Sequence, residues 1–438
     1  MRGWCSTRRA AGCAGAALAL SVSILSAQVP RGAETFDAAW TIIRDSHFDK
    51  TMNGLDWNAV RAELRPRAAA ATSSGDLRGV IREMLGRLGL SHFALIPSSP
   101  DAPDAADDLS ATPGFDVRLA GHDLIVTRVE PDLPTVHTGW RVTRIGQSAV
   151  ADLLREVPEG TSDRLLNVEA WRAAQTRLRG PAGSKVPVTF ETGDGRLVTL
   201  PVDRRREEGQ AVTVGNLPTM FVRVQSQRRQ TPAGRTAGVI GFNVWMANVD
   251  AQFQKAVDDL RGADGIVIDL RGNPGGLAAM IMGISGHFVG ERKTLGTMKT
   301  RDSELRFVTN PRLVNGAGQR VPVYGGPLAI LVDSMSGSAS ECFAGGMQSI
   351  GRARVFGQTS MGQALPALFD RLPNGDVLIH AYGDFVTADG VRLEGRGVIP
   401  DEIVPLERTE LLAGRDRTLE AALAWIDRWV AEKKRQVP

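Results

Sequence analysis

Four serines alternate along DSMSGSASE, residues 333–341: Ser334, Ser336, Ser338 and Ser340. The stretch follows an apolar run, PLAILV, and leads into a helix-like segment, ECFAGGMQ. A turn from a buried strand into a helix exposes a side chain at its tip and aims the next amide at whatever that side chain attacks. A hydroxyl there is a nucleophile only if a histidine or lysine takes its proton. The same pattern also suits a helix cap, with Ser338 or, better, Ser340 accepting from the first turn. Ser334 and Ser336 read as turn residues. A second loop, IDLRGNPGGLAAM, leaves another apolar run and carries Gly272, Gly275 and Gly276 behind Asp269 and Arg271. Bare glycine amides can hold a phosphate or a developing oxyanion, or simply close a tight strand–helix turn. The loop is not G-x-G-x-x-G and has no Lys-Ser/Thr pair, which argues against nucleotide binding. Asp269 and Arg271 read as residues that shape the turn. Cys342 adjoins the serines and is the one cysteine beyond Cys5 and Cys13. It can make neither an internal disulfide nor a metal cluster, and it reads as a small buried hydrophobe more than as a thiol nucleophile.

These loops need a scaffold. The chain has 438 residues, a formal charge of +3, 42% apolar and 23% charged residues. Such a length suggests two or three domains at about 150 residues each. No basic block calls for nucleic acid. Arg2, Arg8 and Arg9 precede the uncharged run AAGCAGAALALSVSILSA, a pattern of an export signal over residues 1–27. The mature chain is then expected to be periplasmic or secreted, with no stable membrane span. Residues 34–105 begin with helical spacing through residue 95, with Ser74 as a cap, and end in a Pro/Asp/Ala-rich linker. Residues 112–205 read as a small β-rich module with a helix over LLNVEAWRAAQTRLRG. Residues 212–410 alternate strands (TAGVIGFNVW, GIVIDLRG, PLAILVDS, RARVFGQT) with helices, the pattern of a layered α/β domain. An amphipathic helix fills 411–438.

Taken together, DLRGNPGG and GSASECFAGGMQSIGRARVFGQTSMGQ resemble the C-terminal processing and tricorn-type serine peptidases. The resemblance spans nearly the whole mature chain. It implies a ClpP/crotonase-like spiral of β-α units for the core, a PDZ-like fold for the β-rich module, and Ser338 as nucleophile. The processing branch uses a lysine base in T-F-G-K-G; here the matching stretch is TSMGQAL, with Gln363 at that position. No lysine occurs between Ser338 and Lys433. The tricorn branch instead uses a histidine preceded by a serine, and a late glutamate. LGRLGLSHFAL matches with Ser91 and His92, and DGVRLEGRGVIPD with Glu394. Leu90 and Phe93 stand where the family commonly has Asp and Thr. The implied arrangement is Ser338 attacking, His92 as base, and Glu394 orienting His92 through Ser91. Amides of Ala339 and of Gly275 or Gly276 would receive the oxyanion. His47, His122, His137, His287 and His380 read as core or solvated histidines. The resemblance implies no metal and no cofactor, a polypeptide substrate, and peptide capture or a spacer role for the β-rich module. A non-catalytic peptide- or apolar-ligand-binding protein on the same fold is the alternative, and a Ser/Lys peptidase borrowing Lys50 or Lys255 is a third.

Overall fold

The structure, a computed structural model, describes residues 32–98, 111–155, 157, 161, 163–213 and 219–436. The expected signal segment lies outside the described residues. Helices α1 (Gly32–Ser46), α2 (Trp57–Ala69) and α3 (Ser74–Gly86) open the chain. Asp56 caps α2, accepting from Ala59 N at 2.9 Å. The cap of α3 is Ser73, not Ser74: Ser73 has the extended backbone (φ −136°, ψ 160°) that lets its Oγ accept from Asp76 N at 3.1 Å. Their apolar stripes bury Phe36, Ile43, Leu64, Leu77 and Met84 in a cluster that also takes in Leu372 and Leu378 from far along the chain. Helix was expected through residue 95, but the chain turns extended after α3 and forms strand β1 (Ala94–Ile96).

The β-rich module is an antiparallel sheet of β2 (Phe115–Ala120), β3 (Asp123–Val129), β4 (Arg141–Ile145), β5 (Lys185–Glu191) and β6 (Leu197–Asp203), in that spatial order. Helix α4 (Asp163–Leu178) packs on it, closing a second core around Phe115, Val126, Ala174, Leu178 and Phe190.

The α/β core is built on a six-stranded sheet. Strand β7 (Val224–Gln230) runs antiparallel to β8 (Thr236–Phe242). Then β9 (Gly265–Asp269), β10 (Leu328–Val332), β11 (Arg354–Gly357) and the short strand Glu402–Ile403 continue in parallel. Parallel strands covered on both faces must be apolar throughout, which is why β10 reads LAILV without alternation. Helices α5 (Val249–Leu260) and α6 (Ala339–Ser349) share one face with Trp245, Ile268 and Ile330. Helix α7 (Arg417–Gln436) covers the other through Ala422, Leu423 and Ile426.

A hairpin, β12 (Ala367–Arg371) and β13 (Val377–Ala381), leaves this core and pairs with β1. Three residue pairs make that seam, Ala94 with Ile379, Leu95 with Leu378 and Ile96 with Val377. Arg78 on α3 reinforces it, reaching Asp376 with Nε at 2.9 Å and Nη2 at 2.8 Å. The helical segment is thereby fastened to the α/β core just downstream of His92.

Candidate active site

Adjacent parallel strands end at the same edge, so the loops after β9 and β10 lie side by side. Ser336 Oγ donates to Leu270 O at 2.8 Å, and Gly337 N donates to Asn273 O at 3.0 Å. Asn273 anchors the glycine loop in turn: Nδ2 donates to Phe242 O at 2.8 Å, and Oδ1 accepts from Gly275 N at 3.0 Å. Gly275 therefore has its N–H committed to a side chain. Of the N–H groups expected to receive the oxyanion, those of Gly276 and Ala339 have no backbone partner among the described residues. Both glycines are also sterically required. A Cβ on Gly275 (φ +105°) would lie 2.5 Å from Ser338 Cβ, and one on Gly276 (φ +137°) would lie 2.3 Å from Trp245 O.

Ser338 holds the backbone of a strained strand-to-helix turn, φ 52° and ψ −118°. From residue 327 to 347 every residue is buried except Ser338, which is partly exposed. It occupies the N-cap position of α6. Ser340, expected to be the cap, is instead inside the helix and buried. Its Oγ donates to Asn273 O at 3.0 Å and accepts from Trp245 Nε1 at 2.8 Å. The local sequence allowed either serine; the buried polar partners of Ser340 decide it.

Glu341 is the residue that sequence reasoning missed. It is fully buried, one turn into α6. Its carboxylate accepts from Ser338 N (3.0 Å), Gln363 N (3.0 Å), Gly362 N (2.6 Å) and Ser360 Oγ (2.5 Å). Burial pushes its carboxyl up to about 7, against the pull of those four donors. The Ser-x-x-Glu spacing was the available signal.

Ser91, His92 and Glu394 form one hydrogen-bonded chain. Ser91 Oγ donates to Glu394 Oε2 at 2.9 Å and lies 2.8 Å from His92 Nδ1, while Ser91 N donates to Glu394 Oε1 at 2.9 Å. With the Ser91 proton given to Glu394, the hydroxyl oxygen can only accept from His92. Nδ1 then carries the hydrogen, and Nε2 keeps a free lone pair. His92 has φ +60°, one of four non-glycine residues with positive φ among those described, and Ser338 is another. Burial, aided by the nearby Arg172 charge, pushes the His92 imidazole down to about 4, so it is neutral at pH 7. Ala364 N also donates to Glu394 Oε2, at 2.9 Å, and Ser338 N donates to Gln363 O at 2.9 Å. The segment at Gln363–Ala364 thus touches both Ser338 and Glu394.

Other candidates lie elsewhere. Lys50 pairs with Asp302 and Lys255 with Asp259 on the surface, and Lys433 covers the Trp429 ring. Burial raises the Cys342 thiol well above its usual value, so it stays protonated. His47 stacks on Phe93, ring centroids 5.7 Å apart, and so braces the neighbour of His92. His380 sits between Ser46 Oγ and Asp370 Oδ2, fastening the hairpin to α1. His287 is buried beside Phe253 and held neutral. Among the described residues no group of three His, Cys, Asp or Glu could hold a metal ion, and no helix is long and apolar enough to cross a membrane.

Two family models match the chain: peptidase family S41 over residues 236–404 and the tricorn protease C1 domain over residues 32–86. A carboxyl-terminal-processing protease of Picosynechococcus sp. is 24% identical over 377 residues, covering 84% of this chain and 82% of that protein. Carboxyl-terminal-processing peptidase 3, chloroplastic, of Arabidopsis thaliana is 23% identical over 380 residues, 84% of this chain and 68% of that protein. Among solved structures, the photosystem II D1 C-terminal processing protease superposes with a TM-score of 0.56 at 21% identity, covering 89% of this chain and 99% of that one. Mature CPAF superposes with a TM-score of 0.59 at 11% identity, covering 91% and 95%. Both share the mixed α/β fold with a helical N-terminus.

Proposed function

Because this chain is a serine peptidase of family S41, we propose that it cleaves polypeptides through Ser338, His92 and Glu394, with Ser91 joining the last two. The observation that carries the reading is the Ser91 bridge, 2.8 Å to His92 Nδ1 and 2.9 Å to Glu394 Oε2. Ser338 Oγ attacks the scissile carbonyl carbon while His92 Nε2 takes its proton. The oxyanion forms against the N–H groups of Gly276 and Ala339. The imidazolium returns its proton to the leaving amine, and the peptide C–N bond breaks. Water, deprotonated by the same nitrogen, then releases the acyl group. Glu394 steadies the imidazolium through the Ser91 hydroxyl.

A Ser/Lys dyad has less support, since Lys50 and Lys255 are engaged in surface pairs and Gln363 stands at the lysine position. The non-catalytic alternative gives way to family membership. The core is read as a ClpP/crotonase-like spiral over 212–410. The β-rich module over 112–205 is read as PDZ-like, between a helical segment at 34–105 and the core, with a tail helix at 411–438. The N-terminal charge pattern supports export to the periplasm or beyond, and the relatives' names support substrates with accessible C-terminal segments.

The test is fluorophosphonate labelling and digestion of a denatured protein by the mature chain. Labelling and cleavage should vanish in Ser338→Ala, and cleavage should fall about 10²-fold or more in His92→Ala. Labelling that persists in Ser338→Ala sinks the nucleophile, and full activity in His92→Ala sinks the base.

A further inference from the structure

Strand β2 lies at the edge of the module's sheet and packs against α4. An extended peptide can add to such an edge, with its terminal carboxylate seated on the backbone N–H groups at the strand's start. Here a carboxylate of the chain itself takes one such N–H together with three side-chain donors. Asp116 Oδ1 accepts from the N–H of Val117 at 2.9 Å and from Trp171 Nε1 on α4 at 3.0 Å. Gln175 Nε2, also on α4, approaches the same oxygen at 3.4 Å, and Oδ2 takes Arg118 Nη1 at 2.7 Å. Burial raises the Asp116 carboxyl, yet Arg118 and Trp171 hold it below its usual value, so it stays charged.

The seat is wired to the catalytic loops. Arg118 is 7% exposed, and its Nε donates to Asp333 Oδ2 at 3.0 Å. Asp333 Oδ1 accepts from Gly272 N at 2.8 Å and from Met335 N at 3.0 Å, so one carboxylate ties the glycine loop to the serine turn. Gly272 sits at φ +73°, strained for any other residue, and a Cβ there would lie 2.5 Å from Arg118 Nη2. Beside this chain Trp171 packs on Val168, Met335 and Met361.

We propose that Asp116 is a built-in stand-in for a peptide's C-terminal carboxylate, and that it acts through Arg118 and Asp333 to hold the glycine loop and the serine turn in register. Asp116 and Arg118 are positioning residues. The module is then self-liganded, and the site is armed without an external peptide. The inference rests on Ser338 being the nucleophile.

The test uses the mature full-length chain and a quenched peptide substrate ending in an amide, which brings no carboxylate of its own. Asp116→Gly empties the seat. Its kcat should fall about tenfold or more with little change in KM, a size usual for coupled sites. Acetate, or a short peptide with a free C-terminus, should restore activity, whereas the same peptide as an amide should not. Arg118→Met should lose kcat alike and respond to neither additive, while Arg118→Lys should recover some of it. An Asp116→Gly enzyme with wild-type kcat overturns the proposal, as does a folded, impaired one that ignores carboxylates. Should Asp116→Gly fail to fold, Asp116→Asn serves: it keeps the shape, loses the charge on Arg118, and must lower kcat. Wild-type kcat in Asp116→Asn also overturns the proposal. Fluorophosphonate labelling of the wild type separates the two readings. No labelling there means that the Ser338 assignment has failed, whatever Asp116 does.

Discussion

Ser338 and Glu394 meet across a single peptide unit. The carbonyl of Gln363 accepts from Ser338 N at 2.9 Å, and the N–H of the same unit, on Ala364, donates to Glu394 Oε2 at 2.9 Å. The residue at the lysine position of the processing branch thus contributes its backbone, in a strap between the serine turn and the carboxylate that orients Ser91. Glu341 holds the strap from beneath by taking Gly362 N and Gln363 N.

Ser91 should matter as a hydrogen-bond relay. Ser91→Ala leaves Glu394 without the hydroxyl and lets the His92 ring choose its tautomer. We expect kcat to fall about 10- to 100-fold with KM little changed, and Ser91→Thr to keep most of the activity. Steady-state kinetics on a peptide substrate decide this, and an unimpaired Ser91→Ala contradicts the relay.

The acid limb of kcat/KM should come from Glu341 more than from His92. His92, pushed down to about 4, is already a free base across the neutral range. Glu341, pushed up to about 7, takes a proton as pH drops through that value and then gives up one of the donors it holds. Activity should fall below about pH 7 in the wild type, whereas Glu341→Gln, fixed in an uncharged form, should be impaired at every pH and lose that limb. The stability terms have opposite signs. The raised Glu341 carboxyl contributes stability below about 4.5 that is lost as pH rises through 7. The lowered His92 contributes stability above about 6.5 that is lost as pH falls through 4. Urea midpoints against pH for the wild type and His92→Ala expose the second term.

Gly276→Ala should abolish activity. The new methyl collides with Trp245 O, and φ +137° is strained for alanine. A loss of about 1–3 kcal/mol in unfolding free energy accompanies such a site. Thermal unfolding with fluorophosphonate labelling measures both, and a stable, fully labelled Gly276→Ala refutes the geometry.

Removing Arg78 should weaken the attachment of the helical segment. Asp376 is fully buried, and among the described residues its donors besides Arg78 are Ser98 and Asn374. Stranding its charge should cost about 3 kcal/mol in urea unfolding of Arg78→Ala, the low end for a broken buried pair. A change under about 0.5 kcal/mol places the attachment elsewhere.

The layered α/β core was legible because continuous apolar strands such as LAILV and GIVID state their burial on both faces. The serine and glycine loops were legible from local chemistry, but the choice among serines was not. Ser340 looks like a cap until Trp245, 95 residues away, is found bonded to it. Glycine spacing likewise could not tell Gly275 from Gly276, because Asn273 decides which amide is spent. Ser91 and Glu394 are 303 residues apart, and no periodicity reports such a contact. Only the family motifs pointed to both. Arg118 and Asp116 carried no signal, since a charged pair on a short strand looks like a solvated face until the module is docked.

The seam between β1 and β13 has a consequence for how the enzyme could be silenced. The α/β core carries Ser338, the loop amides proposed for the oxyanion and Glu394, while Ser91 and His92 come from the helical segment, which packs mostly in a second cluster. Three residue pairs, Arg78 with Asp376, Ser46 with His380, Lys50 with Asp302 and Ser91 with Glu394 all cross that junction, and Leu372 and Leu378 of the hairpin region pack into the helical core. Prying it open would part Ser91 and His92 from the serine turn and strip Leu372 and Leu378 from the helical core, so the catalyst would be disarmed while the central sheet stays paired.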